Sequence, residues 1–350
     1  MRWYYSEKHE LHSPNREIRF GTPTPSFEVP RRAHIIAAEL SNDVDFSRAT
    51  VHNFDRKFID RVHDSTMVDW LEAAWCECRP FSEFDEVIPN VFRHAEFSDV
   101  ESHRTPNSPV GRLGHYSFDT MTPIVEGTYE ASRSAVDVAL SALEDTLTTG
   151  AVTYGLCRPP GHHASKAMIG GYCFFNNAAI VAAEMARRLS GPVAIIDVDY
   201  HHGNGTQSIF YDRDDVFYAS LHGSPERAFP YFLGYGNETG SGDGTGWNHN
   251  VELAAGCSDR EYIDQLRRVL DAVAEKSVVG AVISLGVDTF ENDPISDLRL
   301  TKDAYFALGR LLAELDLPTV AIQEGGYDQL ELGSNVRRFL RGLGNHTLTN

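Results

Sequence analysis

Three short apolar runs in the second half of the chain end in residues that can bind a metal or move protons. Val193-Ala-Ile-Ile196 leads into Asp197-Val-Asp199-Tyr-His201-His202-Gly-Asn204, Val278–Ser284 into Leu-Gly-Val-Asp288, and Thr319–Ile322 into Gln-Glu-Gly-Gly-Tyr327. Alternate residues of an extended segment share a side, so Asp197, Asp199 and His201 are expected to point together. Asp199, His201 and Asp288 then form an O/N/O set that leaves one position open, as a catalytic zinc requires. The same donors also suit Fe(II), Co(II) or Mn(II). A lone Asp at a strand end is usually a cap or a turn. Several acids and imidazoles at one sheet edge instead call for a cation or a substrate, because burying them unpaired is costly. Upstream, Arg158-Pro-Pro-Gly-His162-His163 sets two histidines in a proline-stiffened loop. Such a frame can hold them as metal ligands or as a proton-transfer pair, with plain surface histidines as the alternative.

These groups need a scaffold. The three runs are short and continuously apolar, as in parallel strands buried on both faces, and Val216–Ser220 reads as another. Helical patterns lie between them. Ser258 and Glu261 form a capping box ahead of Tyr262, Leu266, Val269, Leu270 and Val273, and Thr301 precedes Tyr305, Leu308, Leu312 and Leu315. An earlier helix near 129–147 carries Ala131, Ala135, Val138 and Ala142. Strands alternating with helices predict the α/β class, a doubly wound parallel sheet flanked by helices, with ligands at the C-terminal strand ends. No linker, repeat or low-complexity segment interrupts the chain, so one domain is expected over 1–350. Its irregular stretch, near 79–126, is rich in Pro, Ser, Asp, Glu and His, and a loop of that length is usually functional.

The chain has 350 residues, 42% of them hydrophobic, and a formal charge of −19 from 31 basic and 50 acidic residues. That balance opposes a nucleic-acid or anionic-membrane partner and suits cationic ligands. Five cysteines do not make a disulfide framework, and Cys76 and Cys78 lack the second pair that a structural zinc would need. The N-terminus has no apolar signal core and no stretch approaches a membrane span, so a cytoplasmic location is expected.

Taken together, RPPGHHA (158–164), GGYCFFNNAAI (170–180), DVDYHHGNGTQSIFY (197–211), ASLHG (219–223), SLGVDTFENDP (284–294) and EGGY (324–327) resemble the histone deacetylase superfamily. The resemblance is closest to its acetylpolyamine amidohydrolase branch, to which Pro230–Tyr235 and FENDP point, and it extends to the N-terminal region through 28–33 and 62–71. It implies the arginase/deacetylase fold and removal of acetyl or short acyl groups from small cationic amines. A protein lysine deacetylase and an inactive acyl-amine binder are the competing readings. By this resemblance Asp199, His201 and Asp288 hold zinc, and His162 and His163 are the tandem catalytic histidines, with His163 as general base. Tyr327 donates to the substrate carbonyl. Asp197 orients His162, and Asn204 partners His163 where many relatives carry Asp. Gly171, Tyr172 and Phe229 form the walls of a narrow tunnel. Asp197, Asp199, His201, Ser220 and Leu221 match a structural potassium site. Arginase-like enzymes bind two manganese ions through further aspartates, but Gly203 and Gly286 stand at those places here, so a single metal is expected. The long loop suggests a homodimer and an acidic contact to the distal amine, for which Asp119 is the first choice, ahead of Glu96, Asp99 and Glu101.

Overall fold

The computed structural model describes residues 1–94 and 104–347, so Glu96, Asp99 and Glu101 lie outside the described residues. The strands are β1 (Arg2–Tyr4), β2 (Arg16–Arg19), β3 (Thr22–Pro25), β4 (Ser47–Ala49), β5 (Thr153–Gly155), β6 (Val193–Asp197), β7 (Val216–Gly223), β8 (Asn248–Leu253), β9 (Ala281–Leu285) and β10 (Thr319–Gln323). Eight of them make one parallel sheet in the order β4-β1-β5-β10-β9-β6-β7-β8, while β2 and β3 pair as an antiparallel hairpin. The α-helices are α1 (Arg31–Ser41), α2 (Lys57–Asp60), α3 (Ser65–Cys78), α4 (Pro109–His115), α5 (Thr128–Thr149), α6 (Asn177–Leu189), α7 (Asn204–Phe210), α8 (Asp259–Glu275), α9 (Lys302–Ala313) and α10 (Leu332–Leu343).

The sheet carries a core on each face, and strand periodicity divides its side chains between them. Val193, Ile195, Val282, Val320 and Ile322 join Trp70, Val136, Ile180 and Met185 from α3, α5 and α6. Ala194, Ile196, Ile283, Leu285 and Ala321 join Ile36, Leu266, Leu308 and Phe339 from α1, α8, α9 and α10. Each Val, Leu, Ile, Met or Phe among them, once buried, stabilises the fold by roughly 1.5–3 kcal/mol, which explains why the strands read as continuous apolar runs. The capping box at Ser258 and Glu261 forms as expected, and Tyr262, Leu266, Val269 and Val273 are buried.

Two expectations shift. The strand expected from Val278 begins at Ala281, because Ser277 takes φ 50° and Val279 is 37% exposed in the turn that leaves α8. The stretch near 79–126 also contains α4, capped by Ser108, and its ends are tied by reciprocal Val87–Ile124 backbone bonds of 2.8 and 2.9 Å. β6, β7, β9 and β10 occupy consecutive central or near-central places, so the polar residues following each open at one edge of the sheet.

Candidate active site

β6 ends at Asp197, and the chain then bends instead of continuing as a strand. The simple alternation is therefore broken. Asp197 turns back to His162, while Asp199 and His201 meet Asp288, which follows β9. The ligand atoms of Asp199, His201 and Asp288 all lie within 4.8 Å of one another. His201 Nδ1 is 3.3 Å from Asp199 Oδ1 and 3.0 Å from Asp288 Oδ2. Backbone donors hold the outer oxygens: Gly325 N–H donates to Asp199 Oδ2 at 2.7 Å and Tyr200 N–H to Asp288 Oδ1 at 2.8 Å. Such bonds orient the ligands in advance.

Burial, together with the Asp199 charge, pushes the Asp288 carboxyl up. Burial opposes a charge on His201, but its bonds to Asp199 and Asp288 outweigh it and raise the imidazole to about 9. Two adjacent buried carboxylates demand a cation, and a divalent metal would displace the His201 proton. The donor chemistry fits one such ion. A Cβ at Gly286 would lie 2.0 Å from Asp199 Oδ2, and one at Gly203 would lie 2.5 Å from Asp197 Oδ2. Neither position has room for another carboxylate. The other metal-capable group among the described residues is His9, Glu10 and His34, where Arg158 Nη1 lies 3.3 Å from His9 Nδ1 and disfavours a cation.

The two histidines sit in different electrostatic surroundings. His162 Nδ1 lies 3.1 Å from Asp197 Oδ2 and its Nε2 lies 3.9 Å from Asp199 Oδ1. Burial resists its charge, but Asp199 and Asp197 prevail and raise it to about 10. His163 is driven well below its ordinary value by burial, then by His162 and His201. Its Nδ1 lies 2.7 Å from Asn204 Oδ1, at the start of α7. An amide oxygen only accepts, so Nδ1 carries the proton and Nε2 of the neutral ring is left as a base.

Tyr327 stands across the cavity. Its N–H donates to Asp293 Oδ2 at 2.7 Å, and its ring lies 5.8 Å from the ring of Tyr172. Burial pushes its phenol well above the usual range, so the hydroxyl remains a proton donor. His163, His201 and Tyr327 line one cavity of about 200 Å³, with Gly171, Tyr172 and Phe229 along its sides. Phe229 sets its ring edge-on to His163 at 5.0 Å and stacks on Phe118 at 5.9 Å. Gly171 has φ 55°, and a Cβ there would fall 2.2 Å from His163 Cδ2, so only glycine lets this wall approach the base.

Asp119 is placed otherwise than expected. It is buried, its Oδ2 accepts from Gly171 N–H at 2.5 Å and its Oδ1 from Met121 N–H at 2.8 Å. Its carboxylate braces the wall through these two backbone donors. Ser220 pairs in register with Asp197, and its Oγ lies 2.8 Å from His222 Nδ1; Leu221 is buried beside it.

Residues 26–343 match the histone deacetylase domain. The chain belongs to the histone deacetylase family. It is accordingly a metal-dependent hydrolase acting on acetyl amides. It is 41% identical over 339 residues to acetylpolyamine amidohydrolase 2 of Pseudomonas aeruginosa, covering 97% of each chain. It is 39% identical over 343 residues to the acetylpolyamine amidohydrolase of Mycoplana ramosa, covering 98% of this chain and 99% of the relative. The crystal structure of acetylpolyamine aminohydrolase from Burkholderia pseudomallei superposes with a TM-score of 0.92 at 33% identity, over 98% of each chain.

Three further residues hold this deacetylase-family site together and escape a reading of the sequence alone. Glu324 Oε2 accepts from Gly161 N–H at 2.7 Å and His162 N–H at 3.1 Å, fixing the histidine loop to the end of β10. Arg32, buried on α1, donates to the carbonyls of Gly326 at 2.7 Å and Glu324 at 2.8 Å, and its guanidinium lies 4.5 Å from the Tyr327 ring centroid. Asp293 anchors the Tyr327 backbone. The signals that point to them are the Glu of EGGY, the Glu28…Arg32 spacing, whose side chains pair at 2.9 Å, and the Asp of FENDP.

Proposed function

We propose that the chain is a zinc-dependent amidohydrolase that removes acetyl groups from small, slender amines, the acetylpolyamines among them. The observation that carries this reading is the convergence of Asp199/His201/Asp288, a neutral His163 and a protonated Tyr327 on one cavity. Zinc held by the three ligands would polarise the acyl carbonyl and acidify a water. His163 Nε2 takes the proton of the attacking water and then delivers it to the departing amine nitrogen. Water oxygen bonds to the carbonyl carbon, the C–N bond breaks, and acetate and the free amine leave. Tyr327 donates to the carbonyl oxygen as charge develops on it. His162 packs against His163 with ring centroids 4.1 Å apart, and Asp197 Oδ2, 3.1 Å from its Nδ1, orients it there.

The names of the relatives support an acetylpolyamine substrate, and the aromatic walls at Tyr172 and Phe229 suit an apolar methylene chain. Fe(II), Co(II) and Mn(II) remain chemically suitable substitutes for zinc. A structural potassium ion at Asp197, Asp199, His201, Ser220 and Leu221 is supported by the Asp197–Ser220 register. A homodimer is supported by the exposed apolar side chains of Phe81, Phe84, Val91 and Phe92 along the inserted stretch. Five free cysteines support a reducing, cytoplasmic location, and no described helix is long and apolar enough to cross a membrane.

The reading is tested by comparing kcat/KM of the metal-replete protein on N-acetylputrescine and N-acetylcadaverine with that on an acetyl-lysine peptide. Faster hydrolysis of the small amides is expected. Faster hydrolysis of the peptide would assign the chain to protein deacetylation instead.

A further inference from the structure

We infer that Glu238 is a positioning residue: it holds Tyr231 as the outer wall of the cavity, and so sets how much the reaction gains from the substrate's methylene chain. This rests on the amidohydrolase reading above and adds to it the part of the site that meets the chain. Tyr231 lines the same cavity as His163, His201 and Tyr327. Its ring lies edge-on to Phe229 at 6.3 Å, and Phe229 in turn stands 5.0 Å from His163. Tyr231 is 45% exposed, so the wall runs outwards from the base through Phe229 to Tyr231.

The backbone of Tyr231 does not hold this place by itself. Its φ is 66°, in the left-handed region that an aromatic residue rarely adopts. Such a conformation persists only when its surroundings determine it. Tyr231 N–H donates to the Ala228 carbonyl at 3.0 Å, and the Tyr235 hydroxyl donates to the Tyr231 carbonyl at 3.0 Å. The residue is therefore as fixed as the segment that follows it.

Glu238 fixes that segment. Its Oε2 accepts from Gly234 N–H at 2.8 Å and from Nε2 of buried Gln207, on α7, at 2.6 Å. One carboxylate oxygen thus joins the wall loop to the helix that begins with Asn204, the partner of His163. Gly234 has φ 110°, and a Cβ there would lie 2.7 Å from His202 Cγ, so the loop is pressed against the residue after the ligand His201. Two further bonds do not involve Glu238: His222 Nε2 donates to the Gly234 carbonyl at 2.8 Å, and Asn250 Nδ2 to the Tyr235 carbonyl at 3.1 Å. Phe229 also keeps its own stack on Phe118 at 5.9 Å. Loss of Glu238 leaves Gln207 and the Gly234 N–H without their acceptor, and the slack falls on Tyr231.

A fixed ring buries methylenes, and each one buried contributes about fourfold to kcat/KM. The experiment compares N-acetylethylamine with N-acetylpentylamine, both uncharged, on metal-replete wild type, Glu238→Gln, Glu238→Ala, Tyr231→Gly and the Glu238→Ala/Tyr231→Gly double variant. The pentyl-to-ethyl ratio of kcat/KM should be about tenfold or more in the wild type and about threefold or less in Glu238→Ala. Glu238→Gln, which keeps one carbonyl acceptor, should fall between them, and it carries the comparison if Glu238→Ala does not fold. Tyr231→Gly should lower the ratio as well, since glycine takes the φ freely but removes the ring. Glu238→Ala should then change it by less than about twofold in that background. A contribution to folding alone would lower both substrates together and leave the ratio unmoved.

A ratio in the glutamate variants within about twofold of the wild type, or additive losses in the double variant, overturns the inference. Hydrolysis of both amides would then leave the amidohydrolase reading standing. No hydrolysis of either by the wild type overturns both.

Discussion

Tyr327→Phe is expected to lower kcat by about 10²–10³-fold, the effect of removing one oxyanion donor, with metal content unchanged. The substitution deletes a single oxygen and leaves the ring where it packs. That ring is held from several sides: the Arg32 guanidinium lies 4.5 Å from its centroid, the Tyr172 ring 5.8 Å away, and Asp293 accepts from its backbone N–H at 2.7 Å. None of these contacts uses the hydroxyl, so the fold and the walls of the cavity are predicted to persist. The loss should fall on kcat more than on KM, because the developing oxyanion needs the donor more than the ground-state carbonyl does. Steady-state kinetics beside metal analysis of the same preparation checks both halves. Unchanged kcat would remove Tyr327 from the chemistry.

His201→Ala is expected to weaken metal binding by about 10²–10³-fold and to abolish turnover at limiting metal. Structural zinc sites bind with about 10–16 kcal/mol in all, so one ligand of three or four contributes about 3–4 kcal/mol. His201 is also the imidazole between the two carboxylates, at 3.3 Å from Asp199 and 3.0 Å from Asp288. Removing it leaves two buried anions facing each other in the empty site, which offsets part of that loss. The backbone bonds that fix Asp199 and Asp288, from Gly325 and Tyr200, do not involve the imidazole. Secondary structure should therefore survive, and metal-binding titration should separate the variant from the wild type. Equal affinity in both would show that the ion is held elsewhere.

Much of this site is legible before folding because its ligands follow long apolar runs. β6, β9 and β10 are buried on both faces, and their ends announce Asp199, His201, Asp288 and Tyr327. The three-residue strands β1, β4 and β5 carry no usable periodicity and become visible only when paired. The alternation that groups Asp197 with Asp199 and His201 fails because the strand stops at Asp197 and the chain bends. Arg32 and Glu324 escape for another reason. Their partners lie far along the chain, as with Arg32 and the Gly326 carbonyl, and no local spacing encodes such contacts. Asp119 misleads in the opposite way, since a carboxylate in a loop reads as exposed until Gly171 and Met121 are seen to donate to it.

The central claim is that one metal ion at Asp199, His201 and Asp288 makes this chain an amidohydrolase. Stripping the protein with a chelator and measuring acetate release from uncharged N-acetylpentylamine against added equivalents of zinc tests it most directly. Activity should be absent without metal, rise in proportion to zinc and level off at a single equivalent. Full activity in the stripped protein, or a requirement for a second equivalent, would contradict it.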